Sequence, residues 1–283
     1  MSLIFVPTPI GNLRDVTLRA LEILRDCDLV VAEDTRVARR LLGAHGIGHK
    51  ELWSYREANA AVATPAILQR AALGVVALLS DAGMPAISDP GRELVAAARA
   101  AGIALEVLPG ASAFVCAAVL SGFPLDGLTF EGFLPRAAGE RERVLQRALA
   151  RGATTVWYEA PHRILATLAA LERLAPDATA FLGRELTKLH EQQLWGTAAQ
   201  IAAGLERPVR GELTLVLGPR SVPAVAPEAA EVDAAIDAAL AAGTAPTAIA
   251  KALARENAGT RQALYARVIE RKSRRAGSAR EDA

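Results

Sequence analysis

The stretch VVALLSDAGMPAISDPGRELVAAARA, Val75 to Ala100, decides the fold. Its first five residues, Val75 to Leu79, form a pure apolar run of the length and composition of a buried strand. A helical pattern follows from Glu93 to Ala101. Between them, Ser80 to Gly91 carries two glycines, two prolines and two aspartates, more than a simple reversal requires. Gly83 and Gly91 let the backbone approach a ligand closely, and Pro85 and Pro90 stiffen the loop. Such a loop at the carboxyl end of a sheet strand is the usual ligand position in α/β proteins. A rigid crossover loop with no ligand is the structural alternative.

Outward from this stretch the same alternation repeats. Strands are expected at Leu3–Val6, Asp28–Ala32, Leu52–Tyr55 and Ala104–Leu108, with helical spacing at Val16–Leu24, at Arg36–Leu42, up to Ala72 and up to Leu120. Alternating strands and helices imply a parallel sheet covered on both faces. The pattern restarts after Gly122. Strands are expected at Thr129–Phe133, Thr154–Tyr158, Ala178–Gly183, Glu191–Trp195 and Glu212–Leu217, with helices at Glu140–Ala150 and Arg163–Leu174. This second sheet is expected to be mixed. Arg141, Arg143 and Arg147 read as a solvated helix face or a second basic edge. PRSVPAVAP, Pro219 to Pro227, has the composition of a semi-rigid linker. Three short helices are expected beyond it, at Glu228–Ala242, Pro246–Asn257 and Arg261–Lys272. The expected class is α/β: an N-terminal domain over 1–122, a second α/β domain over 123–220, a linker over 221–227 and a basic helical domain over 228–283.

The chain has 283 residues, 52% of them apolar, and a formal net charge of +1, so large cores can be built and total charge names no partner. Cys27 and Cys116 are the only cysteines and read as reduced core thiols of a cytoplasmic protein. No secretory signal is read in MSLIFVPTP, and no apolar stretch is long enough to span a bilayer.

Four strand-end loops converge at one sheet edge: PTPIGN (Pro7–Asn12), EDTR (Glu33–Arg36), the Ser80–Gly91 loop and PGAS (Pro109–Ser112). The chain lacks G-x-G-x-x-G after its first strand and lacks G-x-x-x-x-G-K-[ST], so the dinucleotide and P-loop fingerprints are absent. Its histidines, His45, His49, His162 and His190, show no zinc spacing, and no metal site is expected. His162 reads as a packing or capping residue, with acid–base work as the alternative.

Taken in order, LIFVPTPIGNLRDVTLRALEIL, AEDTRVARRLL, LSDAGMPAISDPG, LPGASA, FEGFLPR, WYEAPHR and ELTKLHE resemble the family that 2′-O-methylates a cytidine (position 1402) of 16S ribosomal RNA, within the tetrapyrrole-methylase class of S-adenosylmethionine (SAM) enzymes. The motifs run from residue 3 to about residue 217. The resemblance implies SAM held in a cleft between two α/β domains, a homodimer, and the small ribosomal subunit as partner, with no membrane. Carried over by position, the SAM contacts are Pro9, Ile10, Gly11, Asn12, Ser80, Asp81, Ala82, Gly83, Met84, Pro85, Pro109, Gly110, Ser112 and Ala113. From the second domain they are Tyr158, Glu159, Ala160, Pro161, Arg184, Glu185, Gly211 and Glu212. Members usually carry threonine where this chain has Met84, whose side chain donates no hydrogen bond, and lysine where it has Arg210.

A ribose 2′-hydroxyl is a poor nucleophile near neutral pH, so its proton must be accepted or the developing alkoxide steadied. The candidates are Glu33 and Asp34 as base, and Arg36, Arg184 or Lys188 as stabiliser. Capping of the following helix is the structural alternative for Glu33 and Asp34, and a surface ion pair for Glu185 and Lys188. Between Lys251 and Arg280 stand nine basic residues against two acidic ones. Arg267, Arg271 and Arg274 share one helical face while Leu264 and Val268 point inward, and with Arg261, Lys272 and Arg275 they are the expected contacts to RNA phosphates. A solvated charged end is the alternative. Two other functions stay open: methylation of a small tetrapyrrole, and a ribosome-assembly protein that binds RNA without catalysis.

Overall fold

A computed structural model describes residues 1–220, 229–255 and 260–281, with the side chains of Arg255 and of residues 274–281 outside the described set. Contacts divide the chain into two compact units, Met1–Arg220 and Ser221–Ala283.

The first unit opens with β1 (Ser2–Val6), α1 (Leu18–Asp26), β2 (Leu29–Ala32), α2 (Thr35–Ala44), β3 (Leu52–Ser54), α3 (Ala60–Leu73), β4 (Val75–Leu79), α4 (Arg92–Ala100) and β5 (Leu105–Val107). The five strands pair in the order β3-β2-β4-β1-β5, every pair parallel. Side chains alternate across the sheet. Ile4 and Val6 enter one layer with Ala20, Leu24 and Ala38. Leu3 and Phe5 enter the opposite layer with Ile67 and Leu94. With both faces covered, the strands read as continuous apolar runs, which is why Val75–Leu79 was legible.

The unit continues with α5 (Ala113–Ser121), β6 (Thr129–Phe133), α6 (Ala138–Arg151), β7 (Thr155–Glu159), α7 (Ile164–Leu174), β8 (Thr179–Arg184), β9 (Gln192–Thr197), α8 (Ala198–Gly204) and β10 (Leu213–Leu217). The second sheet has the order β6-β7-β10-β8-β9. β6 and β7 run parallel and the other pairs antiparallel, the mixed sheet expected. Trp157, Leu182 and Leu215 pack under Leu145, Leu168 and Ile201 of α6, α7 and α8. Val156, Phe181 and Val216 face the other way, onto Ala117 and Ala118 of α5. A helix that follows the first sheet thus covers the second. Arg141 corrects the expectation of a solvated or basic edge on α6. Only 7% exposed, it donates to the carbonyls of Pro135 and Arg136 (3.4 and 3.2 Å).

The second unit holds α9 (Ala229–Ala241), α10 (Pro246–Arg255) and α11 (Arg261–Glu281). Val232, Ile236, Ile249, Leu253, Leu264 and Val268 form its core, with Leu264 and Val268 inward as expected. The apolar spacing fades after Ile269, yet α11 runs past Lys272 to Glu281, because Arg, Ala and Glu sustain a helix without a core face. The expected linker, 221–227, lies outside the described residues. Among the described residues no helix is long and apolar enough to cross a membrane.

Candidate active site

β1 and β4 are neighbours whose connections leave toward opposite edges of the sheet, β1 toward β2 and β4 toward β5. Ligands sit at such switch points. The loops after these two strands are tied together. Thr8 and Gly83 exchange backbone hydrogen bonds (2.9 and 3.0 Å), the Thr8 hydroxyl donates to the Ser80 carbonyl (3.2 Å), and the Ser80 hydroxyl donates to the Gly83 carbonyl (2.9 Å). Gly83 has φ +80°, and a Cβ there would stand 3.2 Å from Ile10. Further along, Ala86 (φ 65°) and Ser88 (φ 62°) occupy the left-handed region, which costs non-glycine residues energy and concentrates at functional sites. A Cβ on Gly91 would fall 2.8 Å from that of Ala86, so the glycine is needed to hold the strained turn.

These loops form one wall of a cleft of about 420 Å³, and the second sheet supplies the other. Of the expected cofactor residues, Ile10, Asp81, Ala82, Gly83, Met84, Ser112, Ala113, Tyr158, Glu159, Ala160, Pro161, Gly211 and Glu212 line it. Pro9, Gly11, Asn12, Ser80, Pro85, Pro109, Gly110, Arg184 and Glu185 do not. Several of these shape it instead. A Cβ on Gly110 would meet Pro7 at 2.5 Å, and one on Gly11 would meet the Lys188 side chain at 2.4 Å. The Asn12 amide donates to the Thr187 hydroxyl (3.1 Å), joining the first loop to the segment after β8. Six lining residues were not anticipated: Ile87, Ser88, Asp89, Phe133, Leu213 and Thr214. The first three lie within the quoted loop. Phe133 lies within the FEGFLPR motif and Leu213 and Thr214 follow Gly-Glu, and only strand pairing brings them to the cleft.

The charged candidates divide sharply. Asp34 accepts from the Arg36 amide (2.8 Å) and from its guanidinium (3.0 and 3.1 Å). It caps α2, and those bonds hold its carboxyl well below the usual range. Arg36, whose side chain is 82% exposed, does not line the cleft. Glu33 does. Desolvation and the charges of Asp81 and Asp34 push it up, against Arg56. Asp89 is pushed up to about 7 by burial and by the charges of Glu33 and Asp81. Arg184 spends its donors on the Arg210 carbonyl (2.9 Å), Gln192 (3.3 Å) and Glu206 (2.8 Å), so it anchors a strand end. Lys188 pairs with Glu185 (2.8 Å) and Glu212 (3.3 Å), and overcomes the desolvation that would raise Glu185. The Glu159 carboxylate is committed to Thr167 (2.7 Å), the Ala160 amide (2.7 Å) and Arg163 (2.6 Å).

In the second unit, Arg267 pairs with Asp233 (2.7 Å), and Arg271 pairs with Asp233 (2.8 Å) and with Asp237. These two arginines therefore clamp α11 to α9, while Arg261 and Lys272 stay exposed. The side chains of Arg274 and Arg275 lie outside the described residues. Among the described residues no His, Cys, Asp or Glu cluster is arranged to hold a metal ion.

A switch-point cleft without the dinucleotide turn, closed by a mixed second sheet, is the architecture of one methyltransferase class. The family described as tetrapyrrole (corrin/porphyrin) methylases matches residues 2–202. Uroporphyrin-III-C-methyltransferase from Thermus thermophilus superposes with a TM-score of 0.52 at 24% identity, over 77% of this chain and 94% of that one. Diphthine synthase superposes at 0.61 and 16% identity, over 77% and 90%. Both are likenesses of fold. Among curated relatives, ribosomal RNA small subunit methyltransferase I of Mesorhizobium japonicum is 41% identical, over 96% of this chain and 92% of its own length. The enzyme of the same name from Thermotoga maritima is 43% identical, over 76% and 97%. The chain belongs to this family of small-subunit rRNA methyltransferases I within the tetrapyrrole methylases.

The family's methyl donor is SAM, and the residues present fit it. The cleft volume is within the roughly 300–1,000 Å³ of small-molecule sites. Apolar Ile10, Ile87, Ala113 and Leu213 alternate with the carboxylates of Asp81, Asp89 and Glu212, which complement a cationic sulfonium and ammonium.

Proposed function

We propose that this chain transfers the methyl group of SAM to the ribose 2′-oxygen of a cytidine in 16S ribosomal RNA. The observation that carries the reading is the donor-sized cleft at the β1/β4 switch point, with carboxylates on its wall, in a chain whose curated relatives are rRNA methyltransferases. SAM supplies an electrophilic methyl carbon bound to a positively charged sulfur. The protein's part is to position and to manage a proton. The Thr8–Ser80–Gly83 bonds hold the donor wall rigid. Asp81 fixes the Asp34 amide (2.9 Å), setting the turn after β2 against the cleft. Met84 offers the wall an apolar side chain, leaving backbone groups to do the polar recognition in this part of the loop.

The small subunit is the proposed substrate particle, reached in the cytoplasm by a homodimer. The exposed Val115, Val119 and Leu120 of α5 give an apolar face that suits a second copy. Exposed Lys251, Arg261 and Lys272 suit phosphate contacts, and each neutralised phosphate steepens the salt dependence of binding by about one unit of log–log slope. The test is incubation with labelled SAM and small ribosomal subunits, followed by mapping of the methylated nucleotide. Label at a cytidine 2′-oxygen supports the reading. Label on a tetrapyrrole and none on RNA overturns it.

A further inference from the structure

A second hollow, of about 590 Å³, adjoins the cleft and shares Glu33, Ser88 and Asp89 with it. Its far wall comes from the segment after β3 and the start of α4, with Tyr55, Arg56, Glu57, Arg92 and Glu93. This wall is built. The Tyr55 amide bonds the Ala32 carbonyl (2.9 Å). The Ser54 hydroxyl (3.2 Å) and the Arg56 Nε (2.9 Å) both donate to the Glu33 carbonyl. Tyr55 is 2% exposed, so its ring closes this wall as a fixed surface.

On the reading above, we propose that this hollow receives the acceptor nucleotide and that Asp89, on the wall between the two cavities, takes the proton of its 2′-hydroxyl. The hollow has nucleotide size, and an acceptor base flipped from the RNA would enter it. Arg56 and Arg92 offer donors to flanking phosphates. Glu57 and Glu93 offer acceptors to the exocyclic amine of cytosine, the carboxylate–cytosine pairing. In the reaction the 2′-oxygen forms a bond to the donor's methyl carbon and the carbon–sulfur bond breaks with its electron pair going to sulfur. The hydroxyl proton passes to the Asp89 carboxylate and on to solvent.

The groups around Asp89 are Glu33 at the end of β2, Asp81 after β4, Arg56 after β3, Arg92 and Glu93 at the start of α4, and Tyr158 and Glu212 across the cleft. Burial, Glu33 and Asp81 keep Asp89 basic, at about 7, while Asp34 is disabled as a base by Arg36.

The test has two arms. Single-turnover methylation of small subunits is followed from about pH 5.5 to about pH 8.5, a range chosen to bracket the expected base. Wild type is expected to rise to a plateau with its midpoint above the usual carboxylate range. Asp89→Asn is expected to lose about 100-fold or more of the plateau rate and to flatten the profile. Asp89→Glu regains part of both, and Glu33→Gln moves the midpoint down. In the other arm, donor-free protein is titrated with a fluorescent cytidine-containing RNA oligonucleotide. Arg56→Ala and Arg92→Ala are expected to weaken binding by about 5-fold each, with SAM affinity unchanged. Asp89→Asn with wild-type rate and profile, or RNA binding indifferent to Arg56 and Arg92, overturns the inference while the proposed function stands. Failure of wild type to methylate rRNA overturns both.

Discussion

The turn after β2 and the loop after β4 meet at the same cleft, and each carries aspartate, yet they have made opposite things of it. In the turn, Asp34 accepts from a helix N-terminal amide and from the Arg36 guanidinium. Its negative charge is welcomed and its basicity lost. In the loop, Asp89 is half-buried beside two other carboxylates and sits among left-handed residues that the chain holds at a cost. Its charge is resisted and its basicity raised. The lesson is that a carboxylate's role follows from what its neighbours donate. A stable pairing makes a cap, and an unrelieved repulsion keeps a base ready near neutral pH.

The largest effects should come from exchanging these roles. Asp89→Asn is expected to cost at least about 100-fold in methyl transfer, whereas Asp34→Asn, which keeps an amide oxygen for the cap, should change the rate only a few-fold. Comparable losses from both variants in a single-turnover assay would break the contrast. Next in size is a change to the scaffold that serves both regions. Gly110→Ala drives a methyl group against the rigid Pro7 ring. It should destabilise the first unit by about 1–3 kcal/mol, the range for overpacking, and weaken SAM binding measured by calorimetry. An unchanged melting curve would show that the two loops slide past one another freely.

How much of this was legible follows from which forces are local. The apolar runs of β1, β2 and β4 announced a buried parallel sheet, because a strand covered on both faces cannot alternate. The glycines and prolines from Ser80 to Gly91 announced a shaped loop, because local backbone freedom is written in those residues. Pairing across the fold is not. Phe133, Leu213 and Thr214 reach the cleft through the register of β6 and β10 with β7. Arg184 resembles a cofactor ligand in sequence, but two of its three acceptors, Arg210 and Glu206, stand over twenty residues downstream. Arg267 and Arg271 of α11 read as free charge because their partners stand on α9. A signal was available there. Asp233 and Asp237 repeat the four-residue spacing of Arg267 and Arg271, the mark of two facing helices. Asp89 was passed over for Glu33 and Asp34, since nothing local distinguishes a repelled carboxylate from a solvated one.

The smallest effect gives the sharpest contrast, because it differs in sign. Asp34 has its folded pKa below the unfolded value of about 3.9, so its contribution to stability is present above that value and fades as pH falls below it. Asp89 has its folded pKa raised to about 7. The folded protein therefore binds a proton that the unfolded chain releases between about pH 4 and 7, and stability grows as pH falls through that window. Above it, the ionised carboxylate works against the fold. Asp89→Asn, which stays neutral, should thus melt at a higher temperature than wild type at about pH 8, with the gap narrowing as pH falls below about 7 and closing at about pH 4. Asp34→Ala should melt lower than wild type throughout that range. Melting curves of Asp89→Asn that run parallel to wild type at every pH would mean that the loop after β4 stores no electrostatic strain. The two aspartates would then differ in position alone.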